Sequence, residues 1–453
     1  MNKRLTAWVR RQAIRALPGT LLALAVILPA WRYRVLWHLN IEDIFFELHD
    51  VILYLSDLLA LLAIVMWWMT PYRRRIGDLP RWLVGALAGL ALLATVSALW
   101  APLGWLALYQ AARLWLLFGL FLVVATAREA RTALAWGLLI SGAIQAFIGL
   151  TQFAFQRTLG LRGLGELVMR PEWSGASVIT VNGLPTLRAY GLTQHPNLLA
   201  GCLTAAVLIG AGLALSPRAP RWQTLAAIGL TGLSFAGLLV TFSRAAWLGL
   251  AIGGLAAFAL LLRPVARKRV SWRAAGATFV VLAAIGSIFL VTQWPLIRPR
   301  LGLSVEGVEI RSVDERSGLE GSAWTLIREH PWLGVGYGNF TIALWQRKPP
   351  ALDAYPIYQP VHRVPLLALA ELGLPGGVLW LILALGPWIA IWRRRTTWPG
   401  PDAPFALAAG ISGALAALTV ISWFDFYPWF SQQGRLLLWI LWGLWAGSVM
   451  RET

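Results

Sequence analysis

Apolar runs close to membrane-spanning length, about 17–25 residues, recur along most of this 453-residue chain. They fall near 17–31, 51–69, 81–99, 103–126, 131–153, 197–215, 222–240, 244–262, 274–292, 374–392, 405–423 and 434–450. Each reads as a helix, because backbone N–H and C=O groups in hydrocarbon must be satisfied inside their own segment. The pattern therefore predicts an all-α, polytopic membrane protein of about twelve transmembrane helices, forming a single integral-membrane domain over 1–453.

Two polar interruptions break this regularity. The shorter covers 154–196 and the longer 293–362, between the ninth and tenth runs. Irregular polar backbone must lie where water or protein can satisfy it, hence outside the hydrocarbon. A loop of roughly seventy residues is more often functional than a mere connector. Within it, Leu319, Ala323, Leu326 and Ile327 recur at helical spacing, so 318–329 reads as a helix.

Composition agrees and adds an orientation. The chain is 58% hydrophobic and only 13% charged, whereas soluble domains carry about 25% charged residues. Its 27 Trp, many near the ends of apolar runs, suit an interfacial belt. A net charge of +19 invites a nucleic-acid partner, but its distribution argues for a lipid bilayer and no nucleic acid. With the N-terminus cytoplasmic, 22 of the 39 Lys and Arg fall on short cytoplasmic segments beside four acidic residues, as the positive-inside rule expects. Both termini are then cytoplasmic, the first run is an anchor rather than a cleaved signal, and both polar interruptions are external. The single Cys202 allows no intrachain disulfide and reads as a small packing residue.

Candidate chemistry concentrates on the outer side. Arg113 lies about ten residues into the fourth run, four after Tyr109 on the same helix face. A charge at that depth faces protein or a wet cavity. It either pairs with Asp57 or lines a cavity for an anionic headgroup. Gln145 and Gln152 share one face and predict a helix–helix hydrogen-bond seam. Pro196 falls where a helix should begin, which parks Arg188 and His195 at the outer end of the sixth run. The very short turn Thr241-Phe242-Ser243-Arg244 puts Arg244 at the membrane boundary, beside a helix N-terminus. Guanidinium groups and helix N-termini are the ingredients of a phosphate site, although boundary arginines also simply snorkel to the interface. His362 is polar and external, and an imidazole is a natural proton acceptor near neutral pH. Glu371 and His330 read as helix-end or turn residues. The acidic segment 32–50 reads as a solvated interfacial piece, with Glu42 and Asp43 a conceivable divalent-metal pair.

Four motifs, each weak alone, stand in order on the outer side: Arg188-x-Tyr-Gly-x-x-x-His-Pro-Asn197, Thr241-x-Ser-Arg244, His330-Pro-Trp-Leu-Gly-Val-Gly-Tyr-Gly-Asn-Phe340, and His362 followed by Ala370-Glu-Leu-Gly-Leu-Pro-Gly376. Together they resemble the O-antigen ligase and polymerase family of bacterial membranes, over roughly 140–380 in motifs and over the whole chain in topology. The resemblance implies a multi-pass enzyme of the bacterial inner membrane whose active site faces the periplasm. Such an enzyme takes a glycan from undecaprenyl pyrophosphate and joins it to an acceptor hydroxyl on a glycan, a lipid or a lipid A core. It implies a catalytic role for His362 and pyrophosphate contacts for Arg188 and Arg244, with no metal and no cofactor. Where the family often carries Asn after this His, the chain carries Arg363. Arg363 thus joins Arg113 and His195 as a candidate substrate-binding residue. Other readings are a polymerase of the same family, a metal-dependent lipid-phosphate-sugar glycosyltransferase using Glu42 and Asp43, and a transporter of the same lipid.

Overall fold

A computed structural model describes residues 3–28, 33–39, 41, 43–173, 175–266, 268–301, 307–352, 358–394, 398–399 and 404–449. Glu42 lies outside the described residues. In chain order the elements are α1 (Lys3–Ile27), β1 (Tyr33–Trp37), β2 (Val51–Tyr54), α2 (Leu55–Trp68), α3 (Arg81–Val96), α4 (Gly104–Thr126), α5 (Arg131–Phe155), β3 (Val178–Val181) and β4 (Leu184–Leu187). The second half continues with α6 (Pro196–Ala214), α7 (Arg221–Leu239), α8 (Arg244–Leu261), α9 (Trp272–Thr292), α10 (Trp294–Arg300), α11 (Gly307–Glu329), α12 (Phe340–Arg347), α13 (Val364–Arg393), α14 (Phe405–Ile421), α15 (Tyr427–Phe430) and α16 (Gln432–Val449).

Helices dominate, and a helix occupies each apolar run. Among the described residues eight helices are long and apolar enough to cross a membrane, or nine if α2 and the 3-10 turn after it form one bent span. The chain is a multi-pass membrane protein. Helix α6 is its centre, with 89% of its apolar window buried, whereas α9 shows 17% and lies on the rim. Against α6 and α8 packs α14, through small residues. A β-carbon on Gly253 would stand 2.4 Å from the Gly413 carbonyl oxygen, so only glycine lets α8 and α14 approach this closely. Close backbone contact of this kind replaces the hydrophobic drive that a lipid solvent does not supply.

The polar segments are more ordered than their composition predicts. The described part of the 32–50 segment is not merely solvated: β1 pairs antiparallel with β2, Tyr33 opposite Tyr54. Asp50 there accepts the Leu39 N–H at 2.9 Å and pairs with the His49 Nδ1 at 2.8 Å and with His38. The 154–196 segment contains a second hairpin, β3–β4, turning through Asn182-Gly183 with both residues at positive φ, 53° and 79°. Asn-Gly is the strongest short-range hairpin signal, since it supplies both left-handed positions of a two-residue turn. The large loop is built from α10, α11 and α12.

Helix α13 breaks at Gly373, whose φ of 62° and ψ of −161° are not helical. The Gly334–Gly338 segment docks on the break, with Val335 N–H donating to the Ala370 carbonyl at 2.9 Å and Gly336 N–H to the Glu371 carbonyl at 2.8 Å. The first half of α13, and His362 just before it, is thereby fixed against the loop.

Candidate functional site

The segment carrying Arg188 and His195 is held by amides of α5. The Gln152 Oε1 accepts the N–H groups of Tyr190 and Gly191 at 3.1 and 2.8 Å, while its Nε2 donates to Glu166 and to the Gly191 carbonyl. The Gln145 Oε1 accepts the Leu192 N–H at 2.7 Å. These side chains do not form the helix–helix seam expected of them. A buried loop leaves N–H and C=O groups that must find partners, and the two glutamines supply those partners.

Arg188 is thus brought into the interior, 5% exposed. Its Nε donates to the Thr241 carbonyl at 2.6 Å, one terminal nitrogen to the Ser177 hydroxyl at 2.7 Å and the other to the Asn197 Oδ1 at 2.7 Å. All three acceptors are neutral. Burial first, and then the Arg300 charge, pull this guanidinium well below its ordinary range. Arg300 itself donates to the Phe242 carbonyl at 3.0 Å, in the turn that ends at Arg244. Arg188, Arg244, Arg300 and Arg316 line one cavity of about 470 Å³, next to the apolar Leu248 of α8.

A larger cavity of about 790 Å³ adjoins it and is lined by His362, Asp425, Tyr109 and Arg113 among others. Ala176, Ser177, His195, Asn197 and Arg316 belong to the walls of both. Arg188 and Arg244 therefore line one cavity and His362 the cavity beside it, with His195 on the wall common to both.

A polar chain joins the two cavities. Asn197, which accepts from Arg188, donates to the Asp425 Oδ2 at 2.8 Å. The other Asp425 oxygen stands 3.9 Å from the His362 Nδ1. That nitrogen is buried and makes no hydrogen bond among the described residues. Desolvation pulls the His362 imidazole down to about 4, against the raising influence of Asp425. His362 is neutral at neutral pH, as a proton acceptor must be. Its ring also meets Phe426 edge-on, with centroids 5.1 Å apart. His195 caps α6, its Nδ1 accepting the Asn197 N–H at 3.1 Å. Desolvation and then Arg188 pull His195 down to about 3, so it too is neutral and can donate from Nε2.

Two other candidates are placed differently. Arg113 pairs with Asp57 at 3.5 Å and also meets the Tyr109 hydroxyl, Gln432 and the Ile52 carbonyl. It lines the large cavity, but its charge is already matched by a carboxylate. Arg363 is not brought into either cavity; it is about half exposed and ion-paired with Glu320 at 2.8 Å. Glu371 accepts backbone N–H groups of Gly338 and Phe340 and the Trp429 indole at 3.0 Å, the helix-end role expected of it. Among the described residues no group of three His, Cys, Asp or Glu could hold a metal ion.

Sequence reasoning missed Asp425, Arg300 and Arg316 as site residues. Asp425 leaves one usable signal, an acid between two apolar runs. Arg300 and Arg316 lie among many charges of the long loop, and only the folded chain selects them.

A search of curated proteins finds no match for this chain. A family model described as O-Antigen ligase matches residues 229–381, a segment that carries Arg244, the glycine-rich 330–340 motif and His362. Over that segment this multi-pass membrane chain is similar to the O-antigen ligase and polymerase family.

Proposed function

We propose that the protein transfers a glycan from a polyprenyl diphosphate, undecaprenyl pyrophosphate in bacteria, to a hydroxyl of a glycan, lipid or lipid A core acceptor at the periplasmic face. Twelve membrane crossings, both termini in the cytoplasm and an external active site carried by the two large loops complete this reading. The observation that carries it is the pair of cavities with a common wall, one lined by four guanidinium groups and the other by a neutral imidazole beside a carboxylate.

The chemistry follows from those groups. The diphosphate is a good leaving group whose departing charge needs stabilisation. Arg188 provides it from a buried position, where such interactions are stronger than in water, and Arg244, Arg300 and Arg316 add charge from more open parts of the wall. The acceptor hydroxyl needs a base. His362 takes its proton on Nε2 while Nδ1–H turns to Asp425, and a 3.9 Å separation is the kind of contact that tightens when substrate arrives. The acceptor oxygen attacks the anomeric carbon as the carbon–oxygen bond to the diphosphate breaks, inverting that centre. His195, neutral and aimed from the shared wall, is a hydrogen-bond donor for a phosphate or sugar oxygen. The lipid tail leaves beside Leu248, from which Ile252 and Leu255 continue an exposed apolar face of α8.

The test is reconstitution in liposomes with donor lipid and acceptor extracted from a deletion strain. Transfer that persists in chelator supports the reading. Transfer lost on chelation returns it to a metal-dependent glycosyltransferase, and donor movement across vesicles lacking acceptor makes the protein a transporter.

A further inference from the structure

The large cavity carries two carboxyls that the transfer step does not use, Glu315, which accepts from the Gln359 amide, and Glu47. Glu47 sits on a short 3-10 turn, Phe46–Leu48, and lines the cavity with Tyr54, Tyr109 and His362. Its turn is fixed from both sides. Ile44 and Leu48 are buried with Leu106, Ile342 and Phe430. Ile44 also bridges Tyr358, whose N–H donates to the Asp43 carbonyl at 2.7 Å. Tyr358 opens the run that ends at His362. The segment bearing Glu47 is therefore tied by backbone pairing to the segment bearing the base.

Among the described residues no hydrogen bond or ion pair engages the Glu47 carboxyl. Two buried cations line the same cavity: Arg113, held by Asp57 at 3.5 Å, Tyr109 and Gln432, and Arg435, which donates to the Gln110 amide oxygen at 3.0 Å. Desolvation pushes the carboxyl up to about 8, so near neutral pH it is mostly a neutral O–H donor. A neutral acid among tyrosine rings and amides, in a cavity of about 790 Å³, is chemistry suited to a saccharide, which offers hydroxyl acceptors on one edge and a C–H face for aromatic contact. Arg188, Arg244 and Arg300, which line only the smaller cavity, claim the diphosphate end. An acceptor whose hydroxyl reaches His362 from the opposite side must then lie along the wall that carries Glu47.

We infer that this wall is the acceptor-saccharide subsite, and that Glu47 is its specificity-determining contact, donating a hydrogen bond to an acceptor sugar oxygen. The inference rests on the transfer reading above and adds to it where the acceptor binds.

The full-length protein, purified in nanodiscs, is assayed with donor lipid and acceptor glycoconjugate extracted from a deletion strain. Glu47→Ala should raise the half-saturating acceptor concentration about ten-fold, the scale of one lost hydrogen bond, and leave that for donor unchanged. Glu47→Gln, which keeps a donor of the same length, should restore the acceptor value to within about three-fold. Equal changes for donor and acceptor, no change in Glu47→Ala, or a Glu47→Gln variant as impaired as Glu47→Ala would each overturn the assignment. Acceptor binding by thermophoresis in the absence of donor separates the two readings. A wild type that transfers nothing, yet binds acceptor ten-fold tighter than Glu47→Ala, keeps the subsite and ends the transfer reading. Equal binding by the two proteins ends the subsite. Should Glu47→Ala fail to fold, Glu47→Gln against Glu47→Leu gives the same contrast.

Discussion

Arg113 and Arg188 are both interior guanidiniums on the cavity walls, 7% and 5% exposed, yet they are held in opposite ways. Arg113 faces the Asp57 carboxylate at 3.5 Å, and Asp57 is itself fixed by the Tyr54 N–H at 3.0 Å and the Gln432 amide at 2.6 Å. Arg188 meets only a carbonyl, a hydroxyl and an amide oxygen, and its nearest acid along the chain of bonds, Asp425, is reached through Asn197. A buried charge is costly unless paired. Arg113 is paired and ties α4 to α2 and α16. Arg188 is oriented by dipoles but not neutralised, which is what an anion receptor requires. The same residue type is thus a lock in one place and an open receptor in the other, and the difference lies in the acid beside it rather than in depth of burial.

The largest effects should come from the uncompensated half. His362→Ala removes the proposed base and should lower transfer by roughly 10²–10⁴-fold with membrane insertion intact. Arg188→Lys keeps a charge but loses the three-way fork. It should cost on the order of 10²-fold in transfer, the size of one lost donor at a developing oxyanion. Rates in reconstituted vesicles measure both. A His362→Ala protein that transfers at near wild-type rate would remove the mechanism.

Removing the lock should show first as instability. Arg113→Gln leaves Asp57 buried without its cation, a change that costs roughly 3–5 kcal/mol when a buried pair is broken. Adding Asp57→Asn should restore most of that loss, because both charges are then gone. Thermal unfolding in detergent reads the cycle. If Arg113→Gln instead weakens donor binding with no loss of stability, the contrast between the two arginines fails.

What the chain discloses by itself divides along the same line. Helix positions are legible because apolar runs and boundary prolines such as Pro196 are local patterns. The Arg113–Asp57 pair was legible because a charge ten residues into a span has few ways to be satisfied. The β3–β4 turn was legible and overlooked, its signal being Asn182-Gly183. The partners of Gln145, Gln152 and Arg188 are not, since they lie in a loop, in the turn between α7 and α8, and at the start of α6. No local period records that Asn197 will meet Asp425, 228 residues away.

A smaller effect concerns acidity. The imidazole at 362 must be neutral to act, and its value is lowered from 6.5 to about 4, desolvation outweighing the opposing pull of Asp425. Protonation therefore stops transfer only as pH falls through about 4, and a pH–rate profile of kcat/KM should stay level between about pH 5 and 7 on its acid side. Asp425→Asn removes the raising influence, so the acid limb should move to lower pH while the plateau rate drops. An unmoved limb would place His362 outside the proton transfer. The same shift has a stability counterpart: the unfolded chain binds this proton more readily, so the contribution is complete above pH 6.5 and declines as pH falls toward about 4.

The smallest effect belongs to Arg363, the cation nearest His362 in sequence and the one that the fold turns away. Its guanidinium, about half exposed, pairs with Glu320 at 2.8 Å on α11. An exposed pair of this kind contributes roughly 0.2–1 kcal/mol. Arg363→Ala should therefore leave donor affinity within about three-fold and shift stability by less than about 1 kcal/mol, with Glu320→Ala giving the same small shift and the double variant no more. A hundred-fold loss of donor binding in Arg363→Ala, with Glu320→Ala silent, would mean that the guanidinium leaves Glu320 for the diphosphate when substrate binds. The receptor half of the comparison would then hold a fifth arginine.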